Sequence, residues 1–318
     1  MARRSDIERQ AKSVRQIRNM TRSMQLVGQV KSRQSRRRLD QAFPFFSICA
    51  QTMANLHRSE QGIKSPLFHE RVKEQGAIWR IGFYVFSGDR GMAGTFNTDL
   101  LHKAVAKMQE QIAKREADGY EVHEIVRLLG KVGYERLERA GFHMAKDFEF
   151  PIQEVSYKRV GPLSDRIRLA YQNETVDEVI FIFTRISPRG IAEQIAIPIL
   201  PIDHNHLSRL YAGFDTVVDT PVHLVEPIYD PDLDHVLEYL VESYLNGMIY
   251  GAMAESSAAE ENSRAEAMST ATDNADEILA KLQLDRNRVR QAGITQELTE
   301  ISAGTESLRN EERGGWHV

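Results

Sequence analysis

Apolar residues at both ends of the chain recur every three or four positions. Ile7, Ala11, Val14, Ile17, Met20, Met24 and Val27 fall on one helical face, in a stretch from Asp6 to Phe43 that holds only Gly28 and no proline. Ser5, with Glu8 following it in the first turn, predicts a capping box at the helix start. Pro44 predicts a kink or interruption, after which the pattern resumes through Ile48, Met53 and Leu56. The whole segment is about 50 residues, or roughly 75 Å at 1.5 Å each. The C-terminal pattern is longer and contains no proline from Asp232 onward. Leu233, Leu237, Leu240, Tyr244, Met248 and Ala252 open the stripe; Ala258, Ala259, Ala265, Ala267, Ala271 and Ala275 continue it with small side chains; Ile278, Leu282, Val289, Ile294, Leu298 and Ile301 close it. That predicts a helix from Asp232 to Ser302, roughly 105 Å long.

Between these ends the period changes. Strands are predicted at Trp79–Phe86, Val122–Leu129, Met144–Phe150, Val179–Ile186 and Glu193–Leu200, and helices at Thr98–Arg115, Lys131–Ala140 and Pro162–Tyr171. Strands separated by helices imply right-handed crossovers and a largely parallel sheet covered on both faces. The last two strands, joined through Ser187-Pro188-Arg189-Gly190, are compatible with an antiparallel hairpin.

A compact chain of this length has a radius of gyration of only about 20 Å, so the terminal helices must project from it. The expected fold is therefore α/β: a long antiparallel two-helix coiled coil formed by the N- and C-terminal helices, with a central, mostly parallel three-layer α/β domain. The divisions are 1–60 for the first helix, 76–225 for the central domain, 231–305 for the last helix and 306–318 for a polar tail. Heptad-like spacing gives the coil a left hand. The competing reading is two separate helical arms, each binding something else.

Charge favours the pair. Arg3 to Arg38 carries twelve basic residues against Asp6 and Glu8, whereas Asp230 to Asp285 carries thirteen acidic residues against Arg264 and Lys281. The net charge of the whole chain is only −4. A basic N-terminal helix alone would suit a coiled-coil nucleic-acid-binding protein; an acidic partner helix supplies the counter-charge without nucleic acid. No run of about 18 apolar residues is present to cross a bilayer, and the basic N-terminus lacks the apolar core of a secretory signal.

Candidate chemistry is sparse. Gly88-Asp89-Arg90-Gly91-Met92-Ala93-Gly94 follows a strand and precedes a helix, a place where backbone amides hold phosphate. It has no Lys followed by Ser or Thr, and its glycines are three apart, so it matches neither a P-loop nor a dinucleotide fingerprint. A structural turn is the favoured reading, a nucleotide-binding enzyme the other. Asp203-His204-Asn205-His206 offers two metal ligands, and two do not close a site. Glu260-Glu261 and Asp276-Glu277 read as solvated helix faces, and the lone Cys49 as a buried small apolar residue. No nucleophile, base and acid can be assembled, so no catalytic residue, metal or cofactor is expected. Arg290, Gln291, Thr295 and Glu297 cluster within two turns near the far end of the last helix, with Arg264 about seven turns below, and suit directional contacts with surrounding proteins or simply water.

Two C-terminal motifs carry a resemblance. Ala271-Thr272-Asp273-Asn274-Ala275-Asp276, followed by Asn287-Arg288-Val289-Arg290-Gln291-Ala292-Gly293-Ile294-Thr295-Gln296-Glu297-Leu298-Thr299-Glu300-Ile301, closely resembles the gamma subunits of F-type ATP synthases. Ile17-Arg18-Asn19-Met20-Thr21-Arg22-Ser23-Met24-Gln25-Leu26-Val27 resembles that family's opening helix, and Asp89 to Asn97 its first strand-to-helix turn. The resemblance spans nearly the whole chain. It implies a central rotor shaft within a ring of three alpha and three beta subunits, with ATP chemistry on the beta subunits and a foot on the epsilon subunit and the c-ring. It further implies a peripheral position on the cytoplasmic face of a bacterial membrane, reached through the ring only. On this resemblance Arg264, Arg290, Gln291, Thr295 and Glu297 match positions that engage the beta subunits, Met24 faces their moving lower lobe, and Tyr229 and Asp230 match the foot. The chain departs from the family at Gly88, Ala93 and Thr95, where Ser, Cys and Gly are common, at Gln25 and at Gln29–Val30, and in the tail after Ser307. It lacks the cysteine pair of the thiol-regulated chloroplast form.

Overall fold

The computed structural model describes residues 2–58, 65–146, 152, 157–187, 191–202, 229–230 and 232–314. Helix α1 (Ala2–Arg58) opens the chain; β1 (Ile78–Phe86), α2 (Phe96–Ala117), β2 (Glu121–Leu129), α3 (Tyr134–Arg139), α4 (Tyr157–Gln172), β3 (Glu178–Ile186) and β4 (Ala192–Leu200) follow; helix α5 (Leu233–Gly314) closes it. The chain divides into two compact units, Met1–Val27 with Glu266–Val318, and Gly28–Ala265.

In the larger unit a four-stranded sheet has the order β2-β1-β3-β4. β1 pairs parallel with β2 and β3, and β4 returns antiparallel to β3 as the hairpin predicted. Successive side chains of a strand face opposite ways. Tyr84, Phe86, Val179, Phe181 and Phe183 accordingly enter one core with α4, α1 and α5, whereas Trp79, Ile81, Phe83, Val85, Ile180 and Ile182 enter another with α2 and α3. Helices on both faces of a mostly parallel sheet make the predicted three layers.

The two long helices lie antiparallel. In the smaller unit Arg18 Nε meets Asp276 at 2.7 Å and the Thr21 and Thr272 hydroxyls pair at 2.8 Å. In the larger unit the Ser32 hydroxyl donates to the Ala258 carbonyl at 2.9 Å, and the Ser35 and Ser257 hydroxyls lie 3.4 Å apart. Partner numbers fall as α1 numbers rise, which is the antiparallel signature.

Several expectations are corrected. The inward face of α1 carries Thr21, Gly28, Ser32 and Ser35, while Ile17, Met20 and Val27 stay exposed, at 48%, 56% and 53%. Small residues win the seam because the facing stretch of α5, Ser256 to Ala259, is itself small and buried, and close backbone approach leaves no room for larger side chains. α1 begins at Ala2, so Ser5 lies inside it and no capping box starts it. It also runs through Pro44 without interruption: one backbone hydrogen bond is forfeited on an exposed position, while Phe46, Cys49, Ala50 and Met53 beyond it are buried and hold the helix in place. α4 starts at Tyr157, a turn ahead of the expected Pro162, anchored by buried Val160. Of the expected strand Met144–Phe150, Met144 forms a parallel bridge with Val126, and residues 147–150 lie outside the described residues. No helix among the described residues is long and apolar enough to cross a membrane.

Candidate functional site

The turn after β1 is shaped by its neighbours. The Gly88 amide donates to Asn97 Oδ1 at 2.8 Å, and the Gly88 carbonyl accepts from the amides of Lys131 and Val132 at 3.1 and 3.0 Å. The Glu260 side chain of α5 packs against the loop, so close that a Cβ at Gly88 would meet its Cδ at 3.0 Å. Ala93 and Phe96 pack on Ala259. The anion packed against the loop is the chain's own glutamate.

Glu260 and Glu261 overturn the solvated reading, being 1% and 4% exposed. Arg264, one turn on, meets Glu260 and lies 3.0 Å from Glu261; it also donates to the Gly91 carbonyl at 3.4 Å. Lys31 of α1 approaches Glu261 at 3.6 Å. Burial pushes the Glu260 carboxyl up, against the pull of Arg264. Burial works against the Arg264 charge too, but Glu260 and Glu261 outweigh it and raise its pKa above the ordinary arginine value. Arg264 is therefore engaged inside the chain. Asp276 and Glu277, in contrast, are exposed as expected, with Asp276 held by Arg18.

The remaining candidates lie along the helices. Arg290, Gln291, Thr295 and Glu297 are all exposed on α5, the Thr295 hydroxyl turning back to the Gln291 carbonyl at 2.9 Å. Met24 is half-buried on α1. Tyr229 packs against the main core and Asp230 beside it is exposed. Asp203, His204 and His206 lie outside the described residues, and among the described residues no three His, Cys, Asp or Glu are grouped to hold a metal. Cys49 is buried, as expected.

Two features carried no obvious signal in the sequence. Asp177, fully buried at the mouth of β3, takes Arg71 at 3.0 Å, Lys73 at 2.6 Å and the Arg80 amide at 2.8 Å. Next to it Glu178 receives Arg115 at 2.9 Å and Trp79 Nε1 at 3.3 Å, with the Arg115 guanidinium 4.4 Å over the Trp79 ring. Glu255 lines an apolar cleft of about 60 Å³ together with Leu39, Phe43, Phe183 and Ile195. Burial pushes its carboxyl up to about 7, against the pull of Arg185 and Arg36.

The comparisons with known proteins agree with one another. A family model described as ATP synthase matches residues 3–308. The ATP synthase gamma chain of Acetivibrio thermocellus is 30% identical over 312 residues, covering 97% of this chain and 100% of that one. That of Lachnoclostridium phytofermentans is 31% identical over 308 residues, covering 97% and 100%. Among solved structures, a chain of the Tetrahymena thermophila mitochondrial ATP synthase central stalk and c-ring superposes with a TM-score of 0.51 at 17% identity, covering 79% of this chain and 99% of that one. A chain of the Euglena gracilis mitochondrial ATP synthase, from an assembly of OSCP, F1 and c-ring, superposes with a TM-score of 0.54 at 12% identity, covering 98% and 96%.

Proposed function

Because this chain belongs to the ATP synthase gamma-chain family, we propose that it is the central-stalk rotor, coupling ion flow through a membrane ring to ATP synthesis or hydrolysis on the surrounding subunits. The observation that carries the reading is the family match along 3–308 on a chain whose two terminal helices pair antiparallel within each compact unit. A rotor binds rather than catalyses, and the chemistry falls to the beta subunits.

The working face follows from what the helix pair leaves outside. The seam consumes the small and hydroxyl-bearing residues of α1, so Ile17, Met20 and Val27 stay available to partners, with half-buried Met24 beside them. On α5, exposed Arg290, Gln291, Thr295 and Glu297 offer directional donors and acceptors to the alpha and beta subunits. Tyr229 and Asp230 are assigned to the foot on the epsilon subunit and c-ring. Arg264, matched by resemblance to a beta-contact position, reaches a partner only by leaving Glu260 and Glu261. The membrane is met through the ring, at the cytoplasmic face of a bacterial membrane.

One asymmetric shaft presents different side chains to three otherwise equal sites. A contact that differs between sites by 1.4 kcal/mol shifts relative nucleotide affinity about tenfold, and rotation hands that bias from site to site. Replacing Arg290 and Gln291 together with alanine is expected to lower ATP-driven ion pumping in the assembled complex more than replacing exposed Asp273 and Glu277. Equal pumping by the two variants would count against these contacts.

A further inference from the structure

The strongest feature that the rotor reading leaves unused is the buried charge cluster on α5. We propose that Glu260 is a positioning residue for coupling: it clasps the turn after β1 to α5, so that torque applied to the α/β domain reaches the helix without slippage. This rests on the rotor reading and adds to it the place where domain and helix are locked together.

The main core holds α5 only as far as Ala254. Arg264 lies ten residues further, about 15 Å along the helix. Over that stretch the loop reaches α5 through Glu260 packed on Gly88, through Arg264, and through the small contact of Ala93 and Phe96 with Ala259. The apolar contact can slide; the polar ones are directional. Glu260 accepts from Arg264 of its own helix, and Arg264 donates to the loop at the Gly91 carbonyl. Hydrogen bonds thus run from Glu260 through Arg264 to the loop. The loop lies so close that a Cβ at Gly88 would meet Glu260 Cδ at 3.0 Å.

Stability alone does not account for such a cluster. A buried ion pair exchanged for apolar residues of similar volume often costs nothing, because desolvation consumes the Coulombic gain. What apolar residues do not reproduce is a fixed angle between the loop and the helix. Anchoring α5 to the domain at Arg264 as well as up to Ala254 lengthens the stretch over which the domain, and not α1 alone, grips the helix.

The test uses the complete complex, reassembled with this chain. E260M keeps the volume and removes the polar path. It is expected to assemble and to hydrolyse ATP normally in the detached catalytic part. In membranes it should pump fewer ions per ATP, and the angular fluctuations of the arrested rotor should widen. A disulfide between A93C and A259C, formed by oxidation in the E260M chain, is expected to restore pumping, and a reductant to abolish it again. Unchanged pumping and stiffness in E260M would overturn the clasp, as would a loss that persists with the disulfide formed. Should E260M not assemble, E260Q takes its place with the same two outcomes. Failure of both to assemble would make Glu260 a folding residue and also overturn it. Failure of the unaltered chain to join the ring would instead overturn the rotor reading.

Discussion

A methyl group placed on Gly28 would lie 2.9 Å from the carbonyl oxygen of Glu261 and 3.3 Å from the Cβ of Ala265. The first obstacle is helix backbone, which cannot swing aside. The two helices therefore approach here as closely as their main chains allow.

Gly28→Val is expected to destabilise the larger unit by about 1–3 kcal/mol, the usual cost of overpacking. Gly28→Ala gains up to about 1 kcal/mol of helix propensity, so its net loss is smaller. Thermal unfolding followed by circular dichroism ranks the three chains, and a Val variant as stable as the parent would show that the helices separate freely at this point.

Thr21 and Thr272 form a paired site. Their hydroxyls lie 2.8 Å apart, and each also reaches a carbonyl of its own helix, Arg18 at 3.0 Å and Met268 at 2.8 Å. Either Thr→Val change is expected to cost about 1 kcal/mol, and the double change less than the sum, because it leaves no hydroxyl facing an apolar neighbour. Additive losses in a double-mutant cycle by urea unfolding would remove the coupling.

Asp177 joins the segment before β1 to the start of β3. Asp177→Ala strands Arg71, Lys73 and the Arg80 amide at once. Removing one partner from a buried charge cluster costs roughly 3–5 kcal/mol. Loss of that size should appear as a lower urea midpoint for the larger unit, with Asp177→Asn intermediate since it keeps acceptor and shape.

Glu255 makes stability depend on pH. Burial raises its carboxyl from the ordinary 4.5 to about 7, with Arg185 of β3, Arg36 of α1 and the nearby Ile186 backbone pulling it down, and Asp40 of α1 pushing it up. Glu193 of β4 stands behind Arg185 at 3.3 Å. The folded state thus holds this proton more tightly than the unfolded state. The contribution is fully present below pH 4.5, is lost as pH rises to about 7, and stays flat above. The swing is at most roughly 3 kcal/mol by linkage. Glu255→Gln should remove that slope and leave the variant the more stable at pH 8; parallel stability curves from pH 5 to 8 would contradict it.

The α/β domain was readable because its strands are long apolar runs separated by amphipathic helices, and four of them sit within a residue of the predicted ends. The sequence also showed which helices are long enough to pair, but not which face of α1 meets α5. Ile17, Met20 and Val27 form the more conspicuous stripe, yet they remain outside, because the close approach of the helices leaves room only for small side chains at the seam. The hydroxyls of Thr21, Ser32 and Ser35 matched small residues on α5, a signal visible only when both helices are aligned in antiparallel register. Glu260 and Glu261 looked like solvent-facing acids until Arg264, one turn later, was seen to turn inward with them. An Arg at that spacing was the available clue. Arg290, Gln291, Thr295 and Glu297 are legible in the sequence as a polar cluster near the end of the last helix, but only the resemblance gives that cluster a partner, since an exposed helix face carries no geometry of its own.

The most direct measurement is purification of the tagged chain from detergent-solubilised membranes, with subunit identities and stoichiometry read by mass spectrometry. One copy with three alpha and three beta subunits, together with epsilon and the c-ring, is the predicted result. Recovery of the chain alone or with nucleic acid, without ATPase activity, would contradict the rotor account.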